Sequence, residues 1–434
     1  MDSTPKIAVV GGGSTYTPEL IEGLGLRAER LGISELVLHD IDPSRLDVVG
    51  GLAERILRRQ GFGGRLVCTT DRRRAIDGAA FVLVQLRVGG LAARLQDETV
   101  PARFGLIGQE TTGAGGFAKA LRTVPVVLDI ARDMAEVGAD GAWLLDFTNP
   151  AGLVAQALID HGHRAIGLCN IPIGFQRQLA DRLGVEPAQV ELEHVGLNHL
   201  SWERGVHVDG VDRLPGLIET FADQLGEDVD LPGDLIRLVG AIPSYYLRYF
   251  YLTERALEEQ REHPTRASEV MRIEAELLEM YRDPALDVKP ALLEQRGGAF
   301  YSEAAAMLLE SLATDRGDTQ VVNVRNDGAI PNIAADAVVE VPCRIDAAGA
   351  HPKPQRPLPP EMLGLVEQVK AYERLTVAAA VTGERRLALQ ALMANPLVAS
   401  YDVAGPLLDA LLDAHREHLP QFFAEEHATT RGGT

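Results

Sequence analysis

The stretch Lys6 to Thr17, Lys-Ile-Ala-Val-Val-Gly-Gly-Gly-Ser-Thr-Tyr-Thr, constrains the fold more than any other part of the chain. Its apolar run Ile7 to Val10 suits a strand covered on both faces, and Pro18 suits the first position of a helix, where no N–H is needed. Between them Gly11, Gly12 and Gly13 let backbone amides approach a pyrophosphate at the positive end of that helix. Strand, glycine turn and helix in this order predict a doubly wound α/β sheet with a dinucleotide at its edge.

Tyr16 stands where the usual fingerprint has its third glycine, so helix and strand must pack by another route. The second apolar strand, Glu35 to Asp40, ends in an acid placed for the adenosine ribose hydroxyls. An acid there repels a 2′-phosphate, so NAD is expected rather than NADP. The candidate cofactor-binding residues are Gly11, Gly12, Gly13, Ser14, Thr15 and Asp40.

Apolar strands recur at 65–69, 80–86, 142–147 and 164–169, alternating with helical spacing such as Leu46, Val49, Leu52, Ile56 and Leu57. Such alternation gives a mostly parallel sheet with right-handed crossovers. One edge then carries Gly11 to Ser14, Asp40, Arg87, Asn149, Cys169 and Asn170. The loop Gly108 to Gly116, rich in glycine and threonine, lies on the same edge, with Thr111 and Thr112 expected near the nicotinamide.

From about Val190 the style changes to adjacent strands, 190–197 and 201–208, and then to helices. A domain boundary is expected near residue 195, giving a Rossmann-type domain over 1–195 and an α+β substrate and oligomerisation domain over 196–434. In the second part we expect a helical stretch over 235–258, a helix over 299–312, and strands over 320–324 and 337–341. Helices over 362–381, 385–394 and 403–417 follow a proline-rich connector, and the tail after Gln421 is expected to fray.

The chain has 434 residues, 46% of them hydrophobic, enough for a large core. It has no apolar run of membrane-spanning length and no signal peptide pattern, so a cytoplasmic protein is expected. With 42 basic against 62 acidic residues the formal charge is −20, which disfavours nucleic acid and anionic membrane as partners. An anionic substrate would need arginines gathered locally. Cys68, Cys169 and Cys343 are odd in number and far apart, which argues against a disulfide framework.

Cys169 ends a central strand at the cofactor edge, and His199 follows a strand within reach of the same crevice. One thiolate and one imidazole cannot complete a structural zinc site, which needs four protein ligands. An open site finished by substrate oxygens, with mixed S, N and O ligands, admits a transition metal such as Mn2+. His194 is the alternate imidazole. Cys68 and Cys343 read as packing residues.

Together the glycine turn, Leu86-Arg-Val-Gly-Gly-Leu-Ala-Ala-Arg94, Thr148-Asn-Pro150, Leu168-Cys-Asn-Ile-Pro172, Gly196-Leu-Asn-His199 and Tyr246-Leu-Arg-Tyr249 resemble glycoside hydrolase family 4. The resemblance runs to about residue 345. It implies NAD- and divalent-metal-dependent hydrolysis outside the two-carboxylate scheme: oxidation of the sugar at C3, removal of the acidified C2 proton, loss of the C1 leaving group, addition of water and return of the hydride.

By that resemblance Cys169 and His199 match the metal ligands and Tyr246 the base at C2, with Tyr245 as its alternate. Arg94, Asn149, Asn170 and Arg266 match substrate-binding positions, the arginines suiting a sugar 6-phosphate. Cys-Asn-Ile-Pro looks like the 6-phospho-β-glucosidase branch. The aspartate that α-glycoside branches carry next to the metal cysteine is not found in Gly167-Leu168, so no protein acid for the leaving group is identifiable. The resemblance thus implies a 6-phospho-β-glucoside or phosphorylated disaccharide as substrate and a homo-oligomer, dimer or tetramer. Alternatives are a 6-phospho-α-glucosidase or galacto-specific relative, an ordinary NAD-dependent dehydrogenase, and a nucleotide sensor without turnover.

Overall fold

The computed structural model describes residues 5–297 and 300–424. Ala299 and the end of the expected frayed tail, from 425 on, lie outside the described residues.

Six parallel strands form the first part of one sheet: β1 (Lys6–Val10), β2 (Glu35–His39), β3 (Arg65–Thr69), β4 (Phe81–Val84), β5 (Trp143–Asp146) and β6 (Ala165–Gly167). Their spatial order, β3-β2-β1-β4-β5-β6, reverses direction beside β1. In such sheets ligands bind at that switch point, beyond the carboxyl ends of the strands. Ile7, Ala8 and Val9 are fully buried, as a strand covered by helices on both faces requires. β3 is the outer edge, and Cys68 on it is exposed rather than packed. Cys343, in contrast, is buried in the core.

Next come β7 (Val190–Leu197) and β8 (Leu200–Val208), an antiparallel hairpin joined by Asn198 and His199 alone. β9 (Val211–Asp212) and β10 (Ile242–Pro243) complete a smaller sheet with them. The expected boundary at residue 195 falls within β7.

The chain then returns to the first sheet. β11 (Asp318–Arg325) lies antiparallel to β6 through Asn323 and Gly167, and β12 (Val338–Asp346) and β13 (Gly349–Pro352) extend it to nine strands. The two halves therefore share one sheet and one main core, with β12 bridging to β7.

The stretch 235–258 is not one helix. Gly233–Val239 ends at Gly240, whose φ of 65° closes the helix, and Pro243 lies in β10. A 3₁₀ turn, Tyr245–Leu247, and the helices Arg248–Tyr251 and Thr253–Glu262 follow. Left-handed glycine and proline both interrupt helical hydrogen bonding, so Tyr246 sits on a turn. Among the described residues no helix is long and apolar enough to cross a membrane.

Candidate active site

A cavity of about 1890 Å³ opens at the switch point and is lined both by the glycine turn and by Tyr246. At the turn, Gly11 has φ 91°, and a Cβ there would lie 2.6 Å from the Gln85 carbonyl. The Gly13 N–H donates to Asp40 Oδ2 at 2.8 Å, and a Cβ on Gly13 would collide with that carboxylate. Asp40 thus pins the turn while lining the cavity with Gly11, Gly13 and Ser14.

Gly12 and Thr15 are not on the cavity wall. Gly12 abuts Leu38 and His39, and the fully buried Thr15 hydroxyl donates to Glu274 Oε1 at 3.0 Å. Both support the turn from behind. Tyr16 replaces the third glycine by turning across to the helix Tyr301–Thr314, where its hydroxyl accepts the Ser302 N–H and its ring meets Tyr301 edge-on.

Cys169 follows β6 at the start of the helix Ile171–Leu183 and is buried. Burial pushes its thiol well up and Glu340 adds to this, whereas the N–H groups of Ile171 and Asn170 and the Asn198 side chain favour the thiolate. On balance the thiol stays protonated here, with three donors already aimed at its sulfur. His199 occupies the hairpin turn at φ 65°, and burial holds its imidazole down to about 4, in the neutral form that ligates metals. Its Nδ1 lies 3.1 Å from Thr111 Oγ1.

Neither Cys169 nor His199 lines the open cavity, and the Tyr246 ring covers the imidazole, stacked with centroids 3.8 Å apart. Tyr246 does line it. Burial raises its phenol above the ordinary value, nearby Cys169 and Glu110 add to that, and a hydrogen bond with Thr111 opposes them. Tyr245 is part-exposed and its hydroxyl accepts from Arg248 at 3.0 Å. Thr111 and Thr112 are buried, their N–H groups held by Gln109 Oε1, and Thr111 faces His199.

His194 is not available as a ligand. Its Nδ1 lies 2.6 Å from Glu203 and its Nε2 3.0 Å from Glu340, all fully buried. Burial would lower its pKa, but the two carboxylates raise it to about 10 and make it an imidazolium. Among the described residues no group of three or more His, Cys, Asp or Glu side chains is arranged to hold a metal. A cation at Cys169 and His199 would take its remaining ligands from substrate or solvent, which is the open-site pattern.

Polar groups of both signs complete the wall. Asn149 Oδ1 is buried without a partner, and the Tyr301 hydroxyl is bonded to the Asn149 side chain. Asn170 lines the cavity beside them. Arg94 donates to Glu98 at 2.7 Å and reaches Glu110 at 3.1 Å, while Glu98 accepts the Ala267 N–H at 2.8 Å. That bond brings the start of helix Arg266–Tyr281, and with it Arg266, beside Arg94. Arg266 is half-exposed at the rim, paired with Glu269.

Sequence reasoning missed three further groups here. Glu110 receives Arg87, Arg94 and Lys119 together, and although burial opposes ionisation these cations hold it well below the carboxylate range. Burial and Arg87 bring Lys119 down to about 7. Arg296 is nearly buried, its Nε has no partner, and Glu274 stands 3.9 Å away. The Gly297-Gly298 pair after Arg296 was the one local sign of a ligand loop.

The sequence profile of family 4 glycosyl hydrolases matches residues 6–185, and that of the family 4 glycosyl hydrolase C-terminal domain matches residues 194–398. A probable 6-phospho-β-glucosidase of Bacillus subtilis (strain 168) is 43% identical over 433 residues, 96% of this chain and 98% of the relative. The 6-phospho-β-glucosidase of Thermotoga maritima, solved with manganese, NAD+ and glucose 6-phosphate, superposes with a TM-score of 0.90 at 37% identity, covering 95% of this chain and 99% of that one. Malate dehydrogenase of Plasmodium falciparum shares the fold alone, with a TM-score of 0.55 at 15% identity over 87% of this chain and 98% of that one. The chain belongs to glycosyl hydrolase family 4.

Proposed function

We propose that the protein hydrolyses 6-phospho-β-glucosides to glucose 6-phosphate and an aglycone, using NAD and Mn2+ or another divalent metal. The observation that carries this reading is a single cavity bounded by the dinucleotide turn at one side and by Tyr246, stacked on His199, at the other. The relatives at high identity and coverage support the same substrate class.

When bound, NAD accepts hydride from the sugar C3 and the metal polarises the resulting carbonyl, which acidifies the C2 hydrogen. Cys169 and His199 hold the cation, the first as a thiolate favoured by three N–H donors. Tyr246 takes the C2 proton; a cation beside its phenol offsets the burial that otherwise raises its pKa. Asn149 offers its unpartnered oxygen to a sugar hydroxyl, and Asn170 borders the same ring. Arg94 and Arg266 receive the 6-phosphate. Among the described residues no protein acid is assigned to the leaving group, and water or an unassigned group protonates it. Gly11, Gly13, Ser14 and Asp40 line the dinucleotide end, where the Asp40 carboxylate favours NAD over NADP.

A homo-oligomer, dimer or tetramer, belongs to the same proposal and is checked by light scattering. So does a cytoplasmic location, in keeping with Cys68, Cys169 and Cys343 all being free thiols. The test of the function is turnover of 4-nitrophenyl β-glucoside 6-phosphate with NAD and Mn2+. Aglycone is released with no net NADH, and the unphosphorylated glucoside is a poor substrate. Stoichiometric NADH would identify a dehydrogenase instead.

A further inference from the structure

Behind the Cys169 and His199 pair lies a buried polar chain that the reaction itself does not use. Glu340, on β12, is 1% exposed. Its Oε1 accepts from Asn198 Nδ2 at 3.0 Å and from Asn323 Nδ2 at 2.9 Å. Its Oε2 faces His194 Nε2 at 3.0 Å, and His194 is braced in turn by Glu203 on β8. Strands β7 and β11 and the turn after β7 thus aim three donors at one carboxylate on β12. Burial opposes its charge, but His194 and Asn198 hold Glu340 below the ordinary carboxylate range.

Asn198 is the outlet of this chain. Its amide binds Glu340 and also favours the Cys169 thiolate, so it touches one candidate ligand directly. The other ligand is its neighbour in the two-residue hairpin turn, where His199 is held at φ 65°. A non-glycine residue persists in that region only when its surroundings over-determine it. The bond from Asn198 to Glu340 supplies that constraint. Glu340 thus places a buried carboxylate, held by three donors, one residue behind the thiol and imidazole. A cation bound at the pair would be attracted by that carboxylate, because charges interact strongly where water is excluded.

We propose that Glu340, acting through Asn198, is the positioning residue of the metal site: it fixes the Cys169 sulfur and the His199 imidazole together and supplies the buried charge that a divalent cation balances. The proposal rests on the reading that Cys169 and His199 are the ligands. Outer groups of this kind typically change metal affinity by ~10- to 100-fold.

The test is titration of Mn2+ into NAD-saturated protein, followed by loss of the free-ion EPR signal. Glu340→Gln keeps the shape and acceptor oxygen but removes the charge; Asn198→Ala, at the half-buried hairpin tip, removes the link. Both are expected to bind Mn2+ ~10- to 100-fold more weakly with NAD affinity near wild type; Asn198→Ala keeps the metal-free melting temperature near wild type, whereas Glu340→Gln, which also takes a carboxylate from His194, lowers it. Wild-type Mn2+ affinity in either folded variant overturns the proposal, and if Glu340→Gln does not fold then Asn198→Ala decides. Cys169→Ser separates the two levels: if it binds Mn2+ like wild type, the ligand reading itself fails, whereas loss in Cys169→Ser alone refutes only the role of Glu340.

Discussion

The Tyr246 phenol lies flat on the His199 imidazole, ring planes 11° from parallel and centroids 3.8 Å apart. The proposed base and the proposed metal ligand are therefore one packing unit, and a substitution that keeps the ring keeps the imidazole in place.

From this contact, Tyr246→Phe should lose ~10²- to 10⁴-fold in kcat, the usual worth of a positioned base, while Mn2+ and NAD still bind as in wild type. Tyr245→Phe should leave kcat within a few-fold. Steady-state kinetics beside metal and NAD titrations check this; the opposite ranking would make Tyr245 the base.

The cationic wall predicts an order among three arginines. Arg296 has a buried unpartnered Nε and Arg94 is nearly buried, whereas Arg266 is half-exposed and paired with Glu269. Charge-assisted hydrogen bonds contribute ~1.5–3 kcal/mol, roughly 10- to 150-fold in affinity. Arg94→Ala and Arg296→Ala should raise KM for the 6-phosphorylated glucoside in that range, and Arg266→Ala by less than about tenfold. Equal losses against the unphosphorylated glucoside would show that these residues do not read the phosphate.

His194 gives a pH signature. Its folded-state pKa is raised to about 10 by Glu203 and Glu340, against ~6.5 when unfolded. A raised pKa contributes stability that is complete below the unfolded value and is lost as pH rises through the folded one. The melting-temperature gap between metal-free wild type and His194→Gln should therefore be widest at about pH 6 and shrink as pH rises toward about 10. Parallel curves would mean that His194 is neutral.

What was legible in the sequence is what local chemistry dictates. A glycine turn between an apolar strand and Pro18 has few folded solutions, and Asp40 follows from where the second strand ends. The strands of the first half, their parallel sheet and the adjacency of 190–197 to 201–208 were legible for the same reason. Tyr246 looked helical because its aromatic neighbours have helical spacing; Gly240 and Pro243 outweigh that pattern and put it on a turn.

Long-range pairing left no local mark. Nothing around Asn323 announces that it will meet Gly167 and carry the chain back to the first sheet. His194 read as an alternate ligand and Glu340 as an ordinary strand residue; only the packing of β7 on β12 pairs them across 146 positions. Arg296 escaped because a lone arginine resembles any solvated one until a cavity forms around it.

The central claim is that hydrolysis proceeds by removal of the C2 proton, not by direct displacement at C1. The measurement is turnover of a 6-phospho-β-glucoside by wild-type protein with NAD and Mn2+ in deuterated water, with C2 of the product read by NMR. The account predicts deuterium at C2 of the glucose 6-phosphate formed, and its loss together with turnover in Tyr246→Phe; full turnover with hydrogen retained at C2 would contradict it.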